Sequence, residues 1–215
     1  MSALRKSLLV GARDVLTRGA AVALYHPYRW RMALRRGAPR RLQVGSGRNR
    51  LEGWINADIT PSADVIVFME RRLPFPGAAL DRIYLEHVLE HASYETGLEF
   101  LRDARRALRP GGVIRIAVPD LEDLVRGYLA DDWRRFNWVN WPEHAFIRTR
   151  AQMINIGFRW WGHQYLYDRQ ELSRVLSEAG FTDVEFVDRG QSRHADLRAL
   201  ETRLDSTLIA EATKH

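Results

Sequence analysis

Residues 42–50 read LQVGSGRNR and residues 53–59 read GWINADI, and these two stretches decide the fold. The first reads as a short apolar strand that runs into a Gly-x-Gly turn, and the second as a strand that ends on a carboxylate. An open parallel sheet receives a nucleoside in this way, because Gly45 and the next glycine admit a ligand close to the backbone and Asp58 can accept hydrogen bonds from ribose hydroxyls. The same spacing also occurs in ordinary turns. A dinucleotide fingerprint would have a third glycine where this chain has Arg50, so the pattern favours a smaller nucleoside.

The rest of the chain alternates between strand-like and helical segments. Alternation of this kind predicts right-handed crossovers and a parallel sheet whose ligands bind at the carboxyl ends of the strands. The predicted strands cover residues 64–69, 81–86, 113–118, 183–188 and 207–212, and the predicted helices cover residues 87–91, 95–108, 120–129, 169–179 and 195–204.

Composition narrows the possible chemistry. The 215 residues, 46% of them hydrophobic, suit one α/β domain over residues 41–215 with an arm over residues 1–40. The absence of cysteine excludes disulfides, thiolate metal sites and cysteine nucleophiles, and it fits a reducing compartment such as the cytoplasm. Imidazole and carboxylate groups remain as metal ligands.

The positive charge of the chain is concentrated at its N-terminus. Residues 1–41 hold ten Lys or Arg and one acid, which leaves 23 basic and 26 acidic residues in the rest. Residues 3–24 show a helical period, so we expect a basic amphipathic helix that packs on the domain, lies on an anionic membrane surface, or serves as a transit peptide. The near-neutral body argues against a dedicated nucleic-acid binder, and we expect no DNA partner.

Residues 131–167 form an aromatic insertion with five of the seven tryptophans. A small hydrophobic core would account for part of it. Aromatic rings can also stack on the faces of sugar rings, while neighbouring Asn and Arg groups bind the hydroxyls. We therefore expect an acceptor cleft here as well. The tryptophans concerned are Trp133, Trp138, Trp141, Trp160 and Trp161.

With these pieces in place, the chain resembles the class I S-adenosylmethionine-dependent methyltransferases. The resemblance covers residues 41–188, and it is closest in character to small methyltransferases of polysaccharide biosynthesis, such as the sugar O-methyltransferases of methylmannose polysaccharide synthesis. It implies a Rossmann-like, mostly parallel sheet with an antiparallel last strand. The motifs that carry it, in order, are the glycine loop, Asp58, LPF at 73–75, DRIY at 81–84, HVLEH at 87–91, LRPGG at 108–112 and AGF at 179–181.

The resemblance also implies a set of residues that contact S-adenosylmethionine. Gly45, Ser46 and Gly47 would face its amino-acid part, and Asp58 its ribose. Ile59 and Met69 would sandwich the adenine, and Glu86 would close the site. Two features depart from the family: few residues separate the glycine loop from Asp58, and the acid that relatives commonly carry after the third strand is replaced by Phe68 and Met69.

Three polar residues follow the predicted fourth strand at a spacing of i, i+3 and i+4. On a helix, His87, Glu90 and His91 would share one face. This arrangement resembles the Glu-x-x-Glu-His segment of metal-dependent O-methyltransferases, with His144 as the expected further ligand. We expect Glu90 and His144 to be catalytic, with His144 as general base, and Mg²⁺ as a possible metal. Equally, these groups could buttress the cofactor loop without a metal, and we assign His163 a structural role.

The sequence thus predicts an O-methyltransferase that acts on a carbohydrate hydroxyl. RNA or a small metabolite is the alternative acceptor. A non-catalytic cofactor-binding subunit that docks through the N-terminal helix is another option, as is a nicotinamide-dependent oxidoreductase, which Arg50 disfavours. The oligomeric state is left open, with a homodimer as one option.

Overall fold

Residues 40–215 are the part of the chain that this computed structural model describes, so the predicted N-terminal helix lies outside the described residues. Within them, seven strands form one sheet in the order β3-β2-β1-β4-β5-β7-β6. The strands are β1 (Arg41–Val44), β2 (Ile55–Asp58), β3 (Val65–Ile66), β4 (Leu80–Glu86), β5 (Leu108–Val118), β6 (Thr182–Phe186) and β7 (Leu208–Thr213).

The sheet is mostly parallel. Strands β3, β2, β1, β4 and β5 run in the same direction, whereas β7 pairs antiparallel with both β5 and β6. The inner strands are buried on both faces, but only one face is uniformly apolar, since Gln43, Asn56 and Arg115 are buried on the other. The predicted fold class, a Rossmann-like sheet that ends with an antiparallel strand, is therefore confirmed.

The helices begin at polar caps. Ser93, Asp120, Thr149 and Asp168 each accept a hydrogen bond from a backbone N–H in the first turn of the helix that follows, which satisfies a donor that the helix itself cannot. The α-helices that follow these caps are α1 (Tyr94–Ala107), α2 (Leu121–Leu129), α3 (Arg150–Arg159) and α4 (Arg169–Glu178).

Three segments are less regular than their sequence pattern predicts. The third strand pairs over two residues only, and residues 195–204 contain a single 3-10 turn, Ala195–Leu197. In the segment 87–91, the 3-10 turn covers Leu89–His91. His87 precedes that turn, because its backbone N–H still donates to the carbonyl of Ala117 on β5. The prediction of one helix face for this segment is wrong for His87.

Two apolar clusters lie in different parts of the domain. The larger lies against the sheet and includes Leu42, Ile83 and Phe100. The second lies in the aromatic insertion and includes Trp133 and Trp138. Among residues 40–215, no helix is both long and apolar enough to cross a membrane.

Candidate active site

Four neighbouring parallel strands end at the same edge of the sheet, and each is followed by a residue of the site. Gly45 follows β1, Asp58 is the last residue of β2, His87 follows β4, and Asp120 lies two residues beyond β5. Open α/β sheets bind their ligands at this edge. The topology therefore assembles the site from residues that are far apart in sequence.

The glycine loop after β1 passes very close to the segment after β4. Gly45 has a φ of +73°, and a Cβ added to it would lie 2.2 Å from Cγ2 of Val88. A side chain at position 45 is thus disfavoured twice, by its backbone conformation and by the contact. Only glycine lets the two segments approach in this way.

Asp58 is held in place by the loops on both sides of it. One carboxylate oxygen accepts a hydrogen bond from the N–H of Gly47 at 2.8 Å, and the other accepts one from the N–H of Thr60 at 3.0 Å. Each carboxylate oxygen can accept a further bond. The group is therefore fixed in orientation and still able to bind a ligand hydroxyl.

A cleft of about 380 Å³ opens beside this loop, and we call it the glycine-loop cleft. Its walls include Gly45, Asp58, Ile59 and Met69, four of the residues expected to contact the cofactor. Ile59 is 48% exposed, so its side chain is accessible from the cleft. Ile59 and Met69 give the cleft apolar surface.

Two further residues of the predicted cofactor site lie close by. Gly47 donates to Asp58 as described, and the hydroxyl of Ser46 is buried without a hydrogen-bond partner among the described residues. An unpaired buried hydroxyl is costly unless something binds it.

Glu86, expected to close the cofactor site, contacts a different part of the chain. Its carboxylate accepts hydrogen bonds from the backbone of Thr202 and Arg203 and from the hydroxyls of Thr202 and Ser206. Burial alone would raise the pKa of Glu86, but these hydrogen bonds outweigh it and hold that pKa below its usual value. Glu86 thus anchors the 202–206 loop to the end of β4.

A second cleft, of about 290 Å³, lies between the aromatic insertion, the 202–206 loop and the start of α2. We call it the aromatic cleft. Three tryptophans, three carboxylates and Arg203 line it. Asp123 is paired with Arg135 at 2.6 Å, and burial raises the pKa of Asp120. The tryptophans and carboxylates are Trp138, Trp141, Trp161, Asp120, Asp123 and Asp205.

His87 and His91 line both clefts. The backbone of His87 has a φ of +52°, an uncommon conformation for a residue with a side chain. Its Nδ1 lies 3.2 Å from a carboxylate oxygen of Glu90, and its buried Nε2 has no hydrogen-bond partner among residues 40–215. Strained residues concentrate at functional sites. This backbone conformation places the His87 ring where the two clefts meet.

Glu90 is fully buried beneath this junction, and its two carboxylate oxygens have no hydrogen bond within the described part of the chain. Glu90, His91 and His163 offer one ligand atom each, and these atoms all lie within 4.8 Å of one another. Burial lowers the pKa of His163 and favours its neutral ring. Of the four expected metal ligands, Glu90 and His91 belong to this group, and His87 lies beside it.

His144, the expected base and fourth ligand, lies elsewhere. It is 3% exposed, its Nδ1 is 2.6 Å from the carbonyl oxygen of Trp138, and its ring stacks on Trp141. It lines neither the glycine-loop cleft nor the aromatic cleft. In this structure His144 supports the tryptophans that form the aromatic cleft.

Sequence reasoning missed His163, Asp120 and Asp205. His163 is 72 positions after His91, and no local pattern links them. Asp120, by contrast, follows an apolar strand much as Asp58 ends one, and that signal could have identified it. Asp205 reaches the site on an irregular loop whose position depends on Glu86.

The profile of a family described as "Methyltransferase domain" matches residues 19–186. No curated protein is similar enough to the chain to count as a match.

The chain is similar to several solved structures at low sequence identity. A SAM-dependent methyltransferase from Archaeoglobus fulgidus is 16% identical over 90% of this chain and 94% of its own, with a TM-score of 0.51. The CurJ carbon methyltransferase is 17% identical over 85% of this chain, with a TM-score of 0.49, and the chain spans 50% of its length. A putative methyltransferase in complex with the Trm112 activator of Haloferax volcanii is 16% identical over 94% of both chains, with a TM-score of 0.48.

Proposed function

Because the chain belongs to the methyltransferase domain family, whose members transfer a methyl group from S-adenosylmethionine, we propose that it methylates a hydroxyl group of a carbohydrate. One observation carries the proposal: the glycine-loop cleft and the aromatic cleft meet at His87 and His91. A donor in one cleft and an acceptor in the other would face each other across these two side chains. Holding two reactants in this way is a large part of methyl-transfer catalysis.

The residues of the glycine-loop cleft fit the cofactor. The loop at Gly45 has no room for a side chain, Asp58 is oriented to accept from ribose hydroxyls, and Ile59 and Met69 offer apolar surface to an adenine. When bound, S-adenosylmethionine supplies a methyl group on a positively charged sulfur, and its transfer to a hydroxyl leaves S-adenosylhomocysteine and one proton.

The aromatic cleft supports a sugar as the acceptor. Trp141 and Trp161 are partly exposed and offer ring surface that suits the C–H faces of a pyranose, and the buried Trp138 packs against Trp161. Asp120 and Asp205 can accept hydrogen bonds from the hydroxyls of the sugar. A precursor of a methylated polysaccharide, such as a mannoside, is an acceptor of this class.

A sugar hydroxyl is a weak nucleophile, so its proton must be removed as the methyl group arrives. His87 is the base that we propose for this step. The negative charge of Glu90, 3.2 Å from Nδ1 although not hydrogen-bonded to it, favours the tautomer with the proton there, which leaves the Nε2 lone pair free. This Nε2, 3.9 Å from Asp205, would accept the proton of the hydroxyl. A divalent cation, expected from the sequence as Mg²⁺, would have Glu90 and His91 among its ligands, but the proposed methyl transfer does not depend on it.

The same cleft has features that suit a cationic amine. Carboxylates and tryptophans together form the usual environment for an ammonium group. An N-methyltransferase of small amines is therefore the second candidate, and the carboxylates of Asp120 and Asp205 in the cleft wall are the observation that favours it.

Transfer of labelled methyl groups tests these proposals. The protein would be incubated with labelled cofactor and separate panels of oligosaccharides, small amines and RNA. We expect label in an oligosaccharide. Label only in amines would assign the cleft to the second candidate, and label only in RNA would contradict both.

Two matched histidine variants test the base. We expect His87→Asn to lower kcat by roughly 10²–10⁴-fold, the usual contribution of a general base, with little change in affinity for S-adenosylhomocysteine. His144→Asn should keep kcat within about tenfold, since it only supports the cleft. The reverse ranking would show that His144 is the base.

A further inference from the structure

The side chain of Glu90 is fully buried. A buried charge without compensation costs several kcal/mol, and neither oxygen of this carboxylate has a hydrogen-bond partner among residues 40–215. The ionisable groups that pair with it are imidazoles: His87 Nδ1 at 3.2 Å and His163 Nε2 at 4.0 Å.

The tautomer of His163 follows from its other neighbour. Its Nδ1 lies 2.8 Å from the carbonyl oxygen of Gly157, and because a carbonyl can only accept, Nδ1 carries the proton. In the neutral ring, Nε2 then presents a lone pair toward Glu90 at 4.0 Å, too far for a hydrogen bond. Two electron-rich atoms that face each other across such a gap leave room for a cation between them.

Backbone contacts hold the two halves of this group together. The N–H groups of Gln164 and Tyr165 both donate to the carbonyl oxygen of Glu90, at 2.8 and 3.2 Å. The side chain of Gln164 donates to the carbonyl oxygen of His91 at 2.6 Å. The segment that carries His163 is therefore fastened to the turn that carries Glu90 and His91, so the three ligand atoms are positioned before any ion binds.

We infer that Glu90, His91 and His163 form a binding site for a divalent first-row transition-metal ion, and that Mg²⁺ is not its preferred ion. Two imidazoles and one carboxylate suit Mn²⁺, Fe²⁺, Co²⁺ or Zn²⁺, whereas Mg²⁺ prefers oxygen ligands. Such ions bind these ligands at about 2.0–2.2 Å, so the group would close on one through side-chain movements of under about 1 Å. His163 takes the place in the ligand set that the sequence assigned to His144.

Three protein ligands leave coordination positions open toward the clefts, because His91 lines both of them. The role of the ion in catalysis rests on the proposed function: it would polarise and orient the acceptor hydroxyl, whose proton passes to His87. The binding of the ion does not depend on that function and can be measured separately.

Co²⁺ is the probe that we choose, since calorimetry and visible absorption both report its binding. Tag-free, EDTA-treated, full-length protein would be titrated with Co²⁺ and, separately, with Mg²⁺. We expect Co²⁺ to bind at one site at least ~100-fold more tightly than Mg²⁺, as its affinity for imidazole predicts. Absence of Co²⁺ binding, or equal affinity for Mg²⁺, would overturn the inference.

Variants identify the ligands. Glu90→Gln, His91→Asn and His163→Asn should each weaken Co²⁺ binding by more than about 100-fold, since loss of a supporting group behind a ligand alone costs 10–100-fold. His144→Asn and the surface control His215→Asn should leave it unchanged. Binding of S-adenosylhomocysteine by each variant verifies that the variant is folded. If Glu90→Gln or His163→Asn does not fold, His91→Asn, whose side chain lies on the cleft wall, still tests the metal site. Loss of Co²⁺ binding in His144→Asn, with binding retained in His163→Asn, would show that His144 and not His163 is the ligand.

The two proposals fail in different ways. Co²⁺ binding without methyl transfer to any saccharide would overturn the acceptor and leave the metal site intact. Methyl transfer that survives exhaustive EDTA treatment, in a protein that does not bind Co²⁺, would overturn the metal site and leave the proposed function intact.

Discussion

The glycine-loop cleft and the aromatic cleft share His87 and His91, but they are built from different kinds of structure. The first is made of strand ends and backbone: Gly45 and Asp58 are where they are because parallel strands stop at one edge of a sheet. The second is made of 3-10 turns and packed rings between residues 131 and 167, together with a loop that Glu86 anchors.

The difference shows how the two clefts can vary. A backbone cradle tolerates almost no change at a few positions, because the space is set by hydrogen-bonded strands. A cleft lined by side chains on irregular turns can change its ligand by changing those side chains. The glycine-loop cleft therefore identifies the kind of enzyme, and under the proposed function the aromatic cleft would determine the acceptor.

The largest effect that would test this contrast is at Gly45. We expect Gly45→Ala to weaken binding of S-adenosylhomocysteine by on the order of 100-fold, as a displacement of about 1 Å in a positioning element does, because a Cβ would lie 2.2 Å from Val88. Calorimetry measures the affinity.

Gly111→Ala is the matched control. Gly111 has a φ of +74°, nearly that of Gly45, but a Cβ there meets nothing within 4 Å. It should cost about 1 kcal/mol of stability from backbone strain and leave cofactor affinity unchanged. Equal effects of the two variants would mean that the close approach to Val88 is unimportant.

A smaller effect is expected at Asp58. Asp58→Asn keeps the shape of the side chain but removes its charge, so we expect affinity for S-adenosylhomocysteine to fall by roughly 10–100-fold, the worth of a hydrogen bond to a charged group. Glu52→Gln, in the exposed loop nearby, removes the same charge as a control. An affinity loss below about threefold at Asp58 would contradict its role at the ribose.

The smallest effect is expected at Glu86, and it compares the two clefts directly, because the acceptor KM and the cofactor affinity should respond differently. Glu86→Gln should lower stability by about 1 kcal/mol, a modest value since the group is partly exposed, and raise the KM for the acceptor a few-fold with no change in cofactor affinity. A fall in cofactor affinity would instead indicate that Glu86 acts in the glycine-loop cleft. Urea unfolding and steady-state kinetics provide the two measurements.

The stability lost in Glu86→Gln should depend on pH, because hydrogen bonds in the folded protein lower the pKa of Glu86. The ionised group stabilises the fold above its ordinary pKa of about 4.3, and that contribution is lost as pH falls through the folded-state pKa. Wild type and Glu86→Gln should therefore unfold at different urea concentrations at pH 7 and converge in acid.

Much of the glycine-loop cleft could be predicted from local patterns in the sequence. The strand and turn around Gly45, the carboxylate at the end of β2 and the caps of the helices each depend on residues that are close in sequence. Local hydrogen bonding and hydrophobic periodicity are enough to specify them. The antiparallel last strand was also predicted correctly, but from the resemblance to a family and not from a local pattern.

The roles of Glu86, His144 and His163 could not be predicted in this way. Glu86 ends its strand as expected, but its hydrogen bonds reach residues 202–206, more than a hundred positions away. His144 and His163 have similar aromatic neighbours in sequence, and nothing local says which of them faces Glu90.

By itself, then, the sequence determined the α/β sheet, the glycine loop and the carboxylate beside it, because short-range patterns specify strands, turns and caps. Only the tertiary structure decided that His163 joins Glu90 and His91, that His144 supports the tryptophans, and that His87 lies between the clefts. The physical reason is that these relations depend on long-range packing and on backbone bonds between distant segments, such as those from Gln164 and Tyr165 to Glu90. No periodicity in the chain encodes such contacts.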